Sequence, residues 1–307
     1  ELFSHALGYT SRASATITSL PGIPSRNWRD AEFVYASGLI SGQLGLEKIY
    51  DDSLSGSYGK KIYEIDAKGR LYNLIKFEDG APGEDLFTSL DLSAQLAAHE
   101  AIDGKRGAVV AIHLPTGSLN VLYSSPSFSI NDFANGIDQK TFDAIIQDTN
   151  KPLFNRALKG RYPPASSIKP AIALYGLNAS LTSWERTIED PGFFILPEDG
   201  RVYRGWREGG HGSVDLTKAI VQSSNTYFFD LAYQSDINQL TTHLGNMGFG
   251  KSLCIDCFDE DAGLLPTPEW KYAQYNRGWF TGDTVNMGVG QGYILATPIQ
   301  LAYYASL

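Results

Sequence analysis

Between Tyr162 and Tyr175 the chain reads YPPASSIKPAIALY. Ser166 precedes Lys169 by three residues, a spacing that puts both side chains on one face of a helix. Ile168, Ala171, Ile172, Ala173, Leu174, Tyr175 and Leu177 make the segment apolar all round, which predicts a buried helix from Ser166 to about Asn178. Pro163 and Pro164 are expected to keep the approach extended and to set the helix start. Ser166 then stands at a helix N-terminus, where unpaired N–H groups and the helix dipole favour negative charge. Lys169, among apolar neighbours, is expected to have a lowered pKa, because desolvation disfavours the ammonium. A neutral lysine beside a serine hydroxyl is a base beside a nucleophile. Serine is also a common helix cap and S-x-x-K arises by chance, so the pair needs further parts to mean catalysis.

A second part lies at QSSNTYFF, where Ser223 and Asn225 form an S-x-N triplet at the junction of two expected helices. The serine could relay a proton to a leaving amine, and the asparagine could hold Lys169 and a substrate amide. Three polar residues at such a junction would also cap a helix well. S-x-x-K and S-x-N in this order, each at a helix junction, together favour serine acyl transfer.

These residues sit in a chain of 307, which suggests about two domains at roughly 100–200 residues each. Hydrophobic residues make up 43%, enough for a sizeable core, and charged residues 19%. The net charge of −9, from 34 acidic and 25 basic residues, argues against broad phosphate-backbone contact, so no nucleic-acid partner is expected. There is no run of about 18 apolar residues and no signal peptide, and the opening ELFSHALGY is consistent with an anchor or targeting segment upstream. The two cysteines, Cys254 and Cys257 in CIDC, leave open a small disulfide, half a metal site or two free thiols. A thioredoxin-type role is disfavoured because the loop-like FDEDAGLLPTPEW follows.

Residues 1–85 differ in texture, being rich in Gly, Ser and Tyr. KKIYEIDAKGRLYNLIKF predicts a hairpin turning at DAKG, and Leu44 to Leu54 a short helix bounded by glycines. EDGAPGEDL marks a domain boundary near residue 85. TSLDLSAQLAAHEAID predicts a helix, and GAVVAIHLPTGSLNVLYSSP two strands joined at PTG, with His113 in a structural role. Residues 213–222 predict a helix capped by Ser213, NTYFFDLAYQ another, and TPIQLAYYASL a last one with Thr297 as cap, Pro298 at the first position and Gln300 completing a capping box. The pattern is α+β, an antiparallel sheet flanked by helices.

At this point the sequence resembles the class B penicillin-binding proteins of the elongation type. HALGY, GLEKIYDDSLSGSYG, SLDLSAQ, GAVVAIHLPTG, SPSF, LFNRALKGRYPPASSIKP, DPGFFILP, YRGWREGGHG and MGVGQGYILATPIQLA fall in family order across essentially the whole chain. Trp206 and the Gly210–His211–Gly212 triplet point to the elongation type. The resemblance implies part of an N-terminal pedestal over 1–85 and a transpeptidase domain over 86–307. It implies a peptidoglycan D,D-transpeptidase on the periplasmic side of the inner membrane, anchored by an N-terminal helix absent from this chain. Ser166, Lys169, Ser223 and Asn225 would carry catalysis, and Ser224, Gly290 and Gln291 would contact substrate. Stem peptides ending in D-Ala-D-Ala and β-lactams would be the ligands, membrane proteins of the elongation complex the partners, and no cofactor is implied.

Departures from the pattern qualify this. The usual glycine before the nucleophile is Ala165, tolerable if its φ is not positive. No K-T-G or K-S-G triplet follows Ser223, so the chain is expected to be a piece of a longer protein, cut before the strand that completes the oxyanion hole. Some elongation-type relatives hold zinc through two aspartates, a histidine and a cysteine. Asp190 and His211 match two of these positions, but Gly205 and Ser224 occupy the others, so no zinc site is expected and the pair reads as a hydrogen-bonded tether. A class D-like β-lactamase, which would lack the pedestal, and a non-catalytic β-lactam-binding sensor or scaffold are the rival readings.

Overall fold

The computed structural model describes residues 1–12, 40–57, 59–66, 68, 70–102 and 104–307. In chain order its elements are α1 (Ser4–Leu7), β1 (Thr10–Arg12), β2 (Ile40–Gly42), α2 (Gly45–Ile49), α3 (Asp51–Ser55), β3 (Lys60–Ile65), β4 (Leu71–Glu78), α4 (Leu92–Ile102), β5 (Gly107–His113), β6 (Ser118–Ser125), α5 (Ile130–Ala134), α6 (Gln139–Gln147) and α7 (Arg156–Lys159). After a 3₁₀ turn over Ala165–Ile168 come α8 (Lys169–Asn178), β7 (Ile188–Asp190), β8 (Phe193–Ile195), β9 (Val202–Arg204), β10 (Gly212–Val214), α9 (Leu216–Val221), α10 (Asn225–Tyr233), α11 (Ile237–Asn246), α12 (Pro268–Tyr275), α13 (Thr281–Met287) and α14 (Pro298–Ser306).

Contacts divide the chain into two units. One comprises Glu1–Val109, Ser118–Asn155 and Ile255–Phe258, the other Val110–Gly117, Arg156–Cys254 and Asp259–Leu307. In the first, β1 pairs antiparallel with β2, Thr10 opposite Gly42. β3 and β4 form the expected hairpin. Its turn is held by Asp66, whose carboxylate accepts from the Lys68 and Arg70 backbone N–H groups; Ala67 and Gly69 of DAKG lie outside the described residues. The helix expected from Leu44 to Leu54 is two short helices, because Tyr50 at φ −103°, ψ 19° breaks the run between α2 and α3.

Gln95 of α4 is fully buried and ties two segments to its helix. Its amide donates to the carbonyls of Leu2 (2.7 Å) and Leu122 (3.0 Å), and its oxygen accepts from the Leu122 N–H (3.1 Å). A buried amide with matched partners is near neutral, but removing it strands the backbone groups it satisfies. His113 Nδ1 bonds the Thr116 hydroxyl at 2.8 Å beside the PTG turn.

In the second unit the core is Ile168, Ile172, Leu216, Phe228, Leu231, Leu240, Leu244, Val285, Met287 and Ile294. It is built mainly from α8, α10, α11 and α13, each contributing one apolar face. Two antiparallel ladders, β7 with β10 and β8 with β9, belong to the same unit. Among the described residues each ladder has only two strands, so the expected sheet is a set of hairpin-sized pairs. The expected helix over 213–222 begins later: Ser213 pairs with Glu189 in β10, and Asp215 is the cap, accepting from the Lys218 N–H. The last helix has the expected capping box of Thr297 and Gln300. Cys254 and Cys257 are disulfide-bonded.

Gln95→Leu keeps the volume and strands three backbone groups, so it is expected to lower stability by about 1–3 kcal/mol. Urea denaturation followed by far-UV circular dichroism measures this; an unchanged midpoint would show that water replaces the amide.

Candidate active site

The turn that carries Ser166 begins at Pro164 and includes one strained alanine. Pro164 lies in the right-handed helical region (φ −64°, ψ −20°), not extended, and so begins the 3₁₀ turn that carries Ser166. The expected helix therefore starts as 3₁₀ and becomes α at Lys169. Ala165 has φ +50°, the left-handed region that glycine occupies without strain. The condition under which alanine would be tolerated is not met, and the conformation costs about 1–2 kcal/mol.

Gly290 explains what holds Ala165 there. Its carbonyl accepts from the Ala165 N–H at 2.9 Å. A Cβ on Gly290 would lie 2.2 Å from the Ala165 carbonyl oxygen, so no other residue fits. Gly290 thus supports the nucleophile turn through backbone contact. Gln291 is exposed, with its N–H bonded to the Asn286 carbonyl at 3.0 Å.

Lys169 is 1% exposed, at the first position of α8. Its Nζ donates three hydrogen bonds, to the Ser223 carbonyl (2.9 Å), Ser223 Oγ (3.0 Å) and Asn225 Oδ1 (2.6 Å). Ser223 Oγ in turn donates to Ser166 Oγ at 3.0 Å. The polar path from nucleophile to lysine thus runs through Ser223 and brings all four expected catalytic residues together. The Phe228 ring centroid is 5.4 Å from Nζ. Burial pulls the Lys169 ammonium from its usual 10.5 down to about 8, against the opposing pull of the Asp190 charge.

Ser223 also has positive φ, +53°. Its carbonyl accepts a second bond, from the Trp206 indole Nε1–H at 3.1 Å. Ser224, expected to contact substrate, is instead fully buried. Its hydroxyl accepts from the Tyr227 N–H (3.3 Å) as N-cap of α10 and donates to Asp190 Oδ2 (2.7 Å), so its side chain is closed to a ligand.

Asp190 closes β7 opposite Gly212 and is itself buried. Burial pushes its carboxyl up, but Thr226, Ser224, His211 and the Gly192 N–H outweigh this and hold it below the usual carboxylate value. The Thr226 hydroxyl lies close enough to favour the charge without making a well-aligned hydrogen bond. His211 Nδ1 bonds Asp190 Oδ2 at 2.7 Å, while its buried Nε2 has no partner among the described residues. The donors here do not fit a four-ligand zinc centre: Gly205 has no side chain, and the Ser224 hydroxyl is committed to Asp190.

The arrangement sets a serine hydroxyl, a bridging serine and a buried lysine in one hydrogen-bonded row. The penicillin binding protein transpeptidase domain matches residues 107–307, and the penicillin-binding protein dimerisation domain matches residues 1–88. The chain belongs to the penicillin-binding proteins. It is 39% identical to peptidoglycan D,D-transpeptidase MrdA of Acinetobacter baumannii over 98% of this chain and 44% of that protein. To MrdA of Escherichia coli it is 35% identical over 97% of this chain and 46% of the other. The chain spans a little under half the length of these curated relatives. Among solved structures it resembles Pseudomonas aeruginosa PBP2 in complex with WCK 5153, with a TM-score of 0.84 and 36% identity over all of this chain and 62% of that one. Helicobacter pylori PBP2 in its complex with MreC gives 0.85 and 32%, over all of this chain and 55% of that one.

The lowered pKa of Lys169 has a consequence for stability. Below about pH 8 both folded and unfolded states carry the proton, and burial of the charge is a constant penalty. From about 8 to 10.5 the unfolded chain binds more protons than the folded one, so stability rises with pH. Relative to Lys169→Met, the wild type is expected to gain on the order of 3 kcal/mol across that window. Urea titrations of both proteins at about pH 7.5 and about pH 10 test this; a constant difference would place the lysine pKa at its unperturbed value.

Proposed function

We propose that the protein is a peptidoglycan D,D-transpeptidase of cell-wall elongation, working through a serine acyl-enzyme and open to β-lactam inhibition. The single observation that carries this reading is the bond set linking Ser166 Oγ, Ser223 Oγ, Lys169 Nζ and Asn225 Oδ1. The names of the curated relatives support it. Residues 1–85 are taken as part of a pedestal, and 86–307 as transpeptidase.

In this mechanism Ser166 Oγ attacks the carbonyl of the penultimate D-Ala of a stem peptide. Its proton passes by way of Ser223 to neutral Lys169, and the path then returns a proton to the departing D-Ala amine as the C–N bond breaks. The ester is resolved by an amine of a neighbouring stem, which loses a proton to the same base and restores the Ser166 hydroxyl. With a β-lactam the broken C–N bond belongs to the ring, the leaving nitrogen stays attached, and the ester persists. Asn225 holds Lys169, and in this reading its amide also meets the substrate.

Periplasmic placement and partners in the elongation machinery belong to the same proposal. Among the described residues no helix is long and apolar enough to cross a membrane. The solved H. pylori relative is in complex with MreC, and a second neighbour belongs to a peptidoglycan synthase complex. A partner of that kind, docking on the segment matched to the dimerisation domain, fits this chain.

Incubation of the protein at its natural length with a penicillin, followed by intact-mass spectrometry and peptide mapping, tests the reading. One label on Ser166 is expected, lost in Ser166→Ala, a change that removes one exposed hydrogen bond and costs the fold only about 1 kcal/mol. Lys169→Ala should abolish labelling, and Ser223→Ala and Asn225→Ala should slow it, by about 10²-fold or more where proton transfer is lost. The labelling rate should rise with pH and level off above about 8, where Lys169 is neutral. Label elsewhere would overturn the assignment, and rapid release of hydrolysed penicillin would mark a β-lactamase.

A further inference from the structure

Trp206 is an aromatic side chain that hydrogen-bonds the Ser223 backbone. It is 64% exposed, yet its loop is anchored. On one side the Gly205 N–H bonds the Gly192 carbonyl at 2.7 Å; on the other the His211 N–H bonds the Asp190 carbonyl at 3.1 Å, and Gly210 N–H closes on the Arg207 carbonyl at 3.2 Å. One edge of the indole is committed, Nε1–H to the Ser223 carbonyl. The ring also lies 5.5 Å from the His211 ring, tilted by 58°. The indole has its N–H bonded and its ring open to solvent beside the site, and a side chain with one polar edge and one apolar face is the type enriched at contact surfaces.

The bond to Ser223 carries a second meaning. Ser223 is a non-glycine residue at φ +53°, a conformation that persists only where its surroundings impose it. Its carbonyl has two lone pairs, and both are used, by Lys169 Nζ at 2.9 Å and by Trp206 Nε1 at 3.1 Å. Rotation of that peptide would break both bonds. The Trp206 N–H therefore restrains the residue that bridges nucleophile and base.

Resting on the acyl-transfer reading of the site, we propose that Trp206 is a positioning and recognition residue. Its N–H clamps the Ser223 carbonyl so that the serine bridge stays aligned, and its open face packs against an apolar portion of the acyl donor. The two parts are separable, because phenylalanine keeps a face and loses the N–H, whereas alanine loses both.

The test is penicillin acylation kinetics of the wild type, Trp206→Phe and Trp206→Ala at natural chain length, with limiting rate and half-saturating concentration resolved separately. Trp206→Phe is expected to lower the limiting rate about tenfold, the worth of one hydrogen bond, with half-saturation unchanged. Trp206→Ala should lower the rate as much and also raise half-saturation about tenfold. Labelling in both should still reach one equivalent per chain on Ser166, which a partly unfolded variant would not. A Trp206→Phe rate within twofold of wild type, or a shared half-saturation for Phe and Ala variants, would overturn the proposal while leaving Ser166 chemistry standing. A wild type unlabelled at Ser166 would overturn both.

Discussion

A buried ammonium must find acceptors for three protons or give one up, and Lys169 meets that constraint inside an apolar wall. Its three bonds all end on the short segment Ser223–Asn225, which joins α9 to the first residue of α10. That requirement fixes the start of α8 against the start of α10 more tightly than packing of Ile172, Phe228 and Leu231 alone would. The same burial that needs the acceptors also lowers the lysine pKa. One interaction thus sets both the approach of two helices and the basicity the chemistry uses.

Around it the backbone is under strain at two places that both touch the nucleophile. Ala165 and Ser223 each occupy the left-handed region, one immediately before Ser166 and one bonded to it. Each is held by something specific. Gly290 lies so close to Ala165 that a methyl group could not be admitted, and Lys169 with Trp206 saturates the Ser223 carbonyl. Strain of a few kcal/mol at a site is sustainable only because a well-packed helical core surrounds it.

Beneath the S-x-N segment, Asp190 does by hydrogen bonding what a metal could do by coordination. His211, Ser224 and the Gly192 N–H converge on its carboxylate, and Ser224 then caps α10. The loop bearing Trp206, the cap of α10 and the charge opposite Lys169 are thereby tied to one buried anion. With glycine at 205 and serine at 224 the donor set is too poor for a tetrahedral zinc site, and the hydroxyl that stands at 224 completes the anion's bonding instead.

The sequence by itself determined the family, the S-x-x-K and S-x-N candidates for the site, and those helices whose ends carry their own chemistry. Thr297 and Gln300 define α14, and the polar triplet ending at Asn225, with Ser224 as cap, defines α10, because caps act over three residues and need no tertiary partner. Where local signals were balanced, long-range contacts decided. Ser213 could have capped a helix but pairs with Glu189 in a strand, so Asp215 caps instead. Leu44 to Leu54 could have been one helix but breaks at Tyr50. Ser224 reads as a site residue from its neighbours, yet its hydroxyl faces the buried Asp190, which is 34 positions away in the chain. The positive φ of Ala165 and Ser223, and the Trp206 bond to the Ser223 carbonyl, have no local signature. They exist because Gly290, Lys169 and Trp206 are brought against those peptides by the fold, and only tertiary structure can set residues so far apart in sequence within hydrogen-bonding distance.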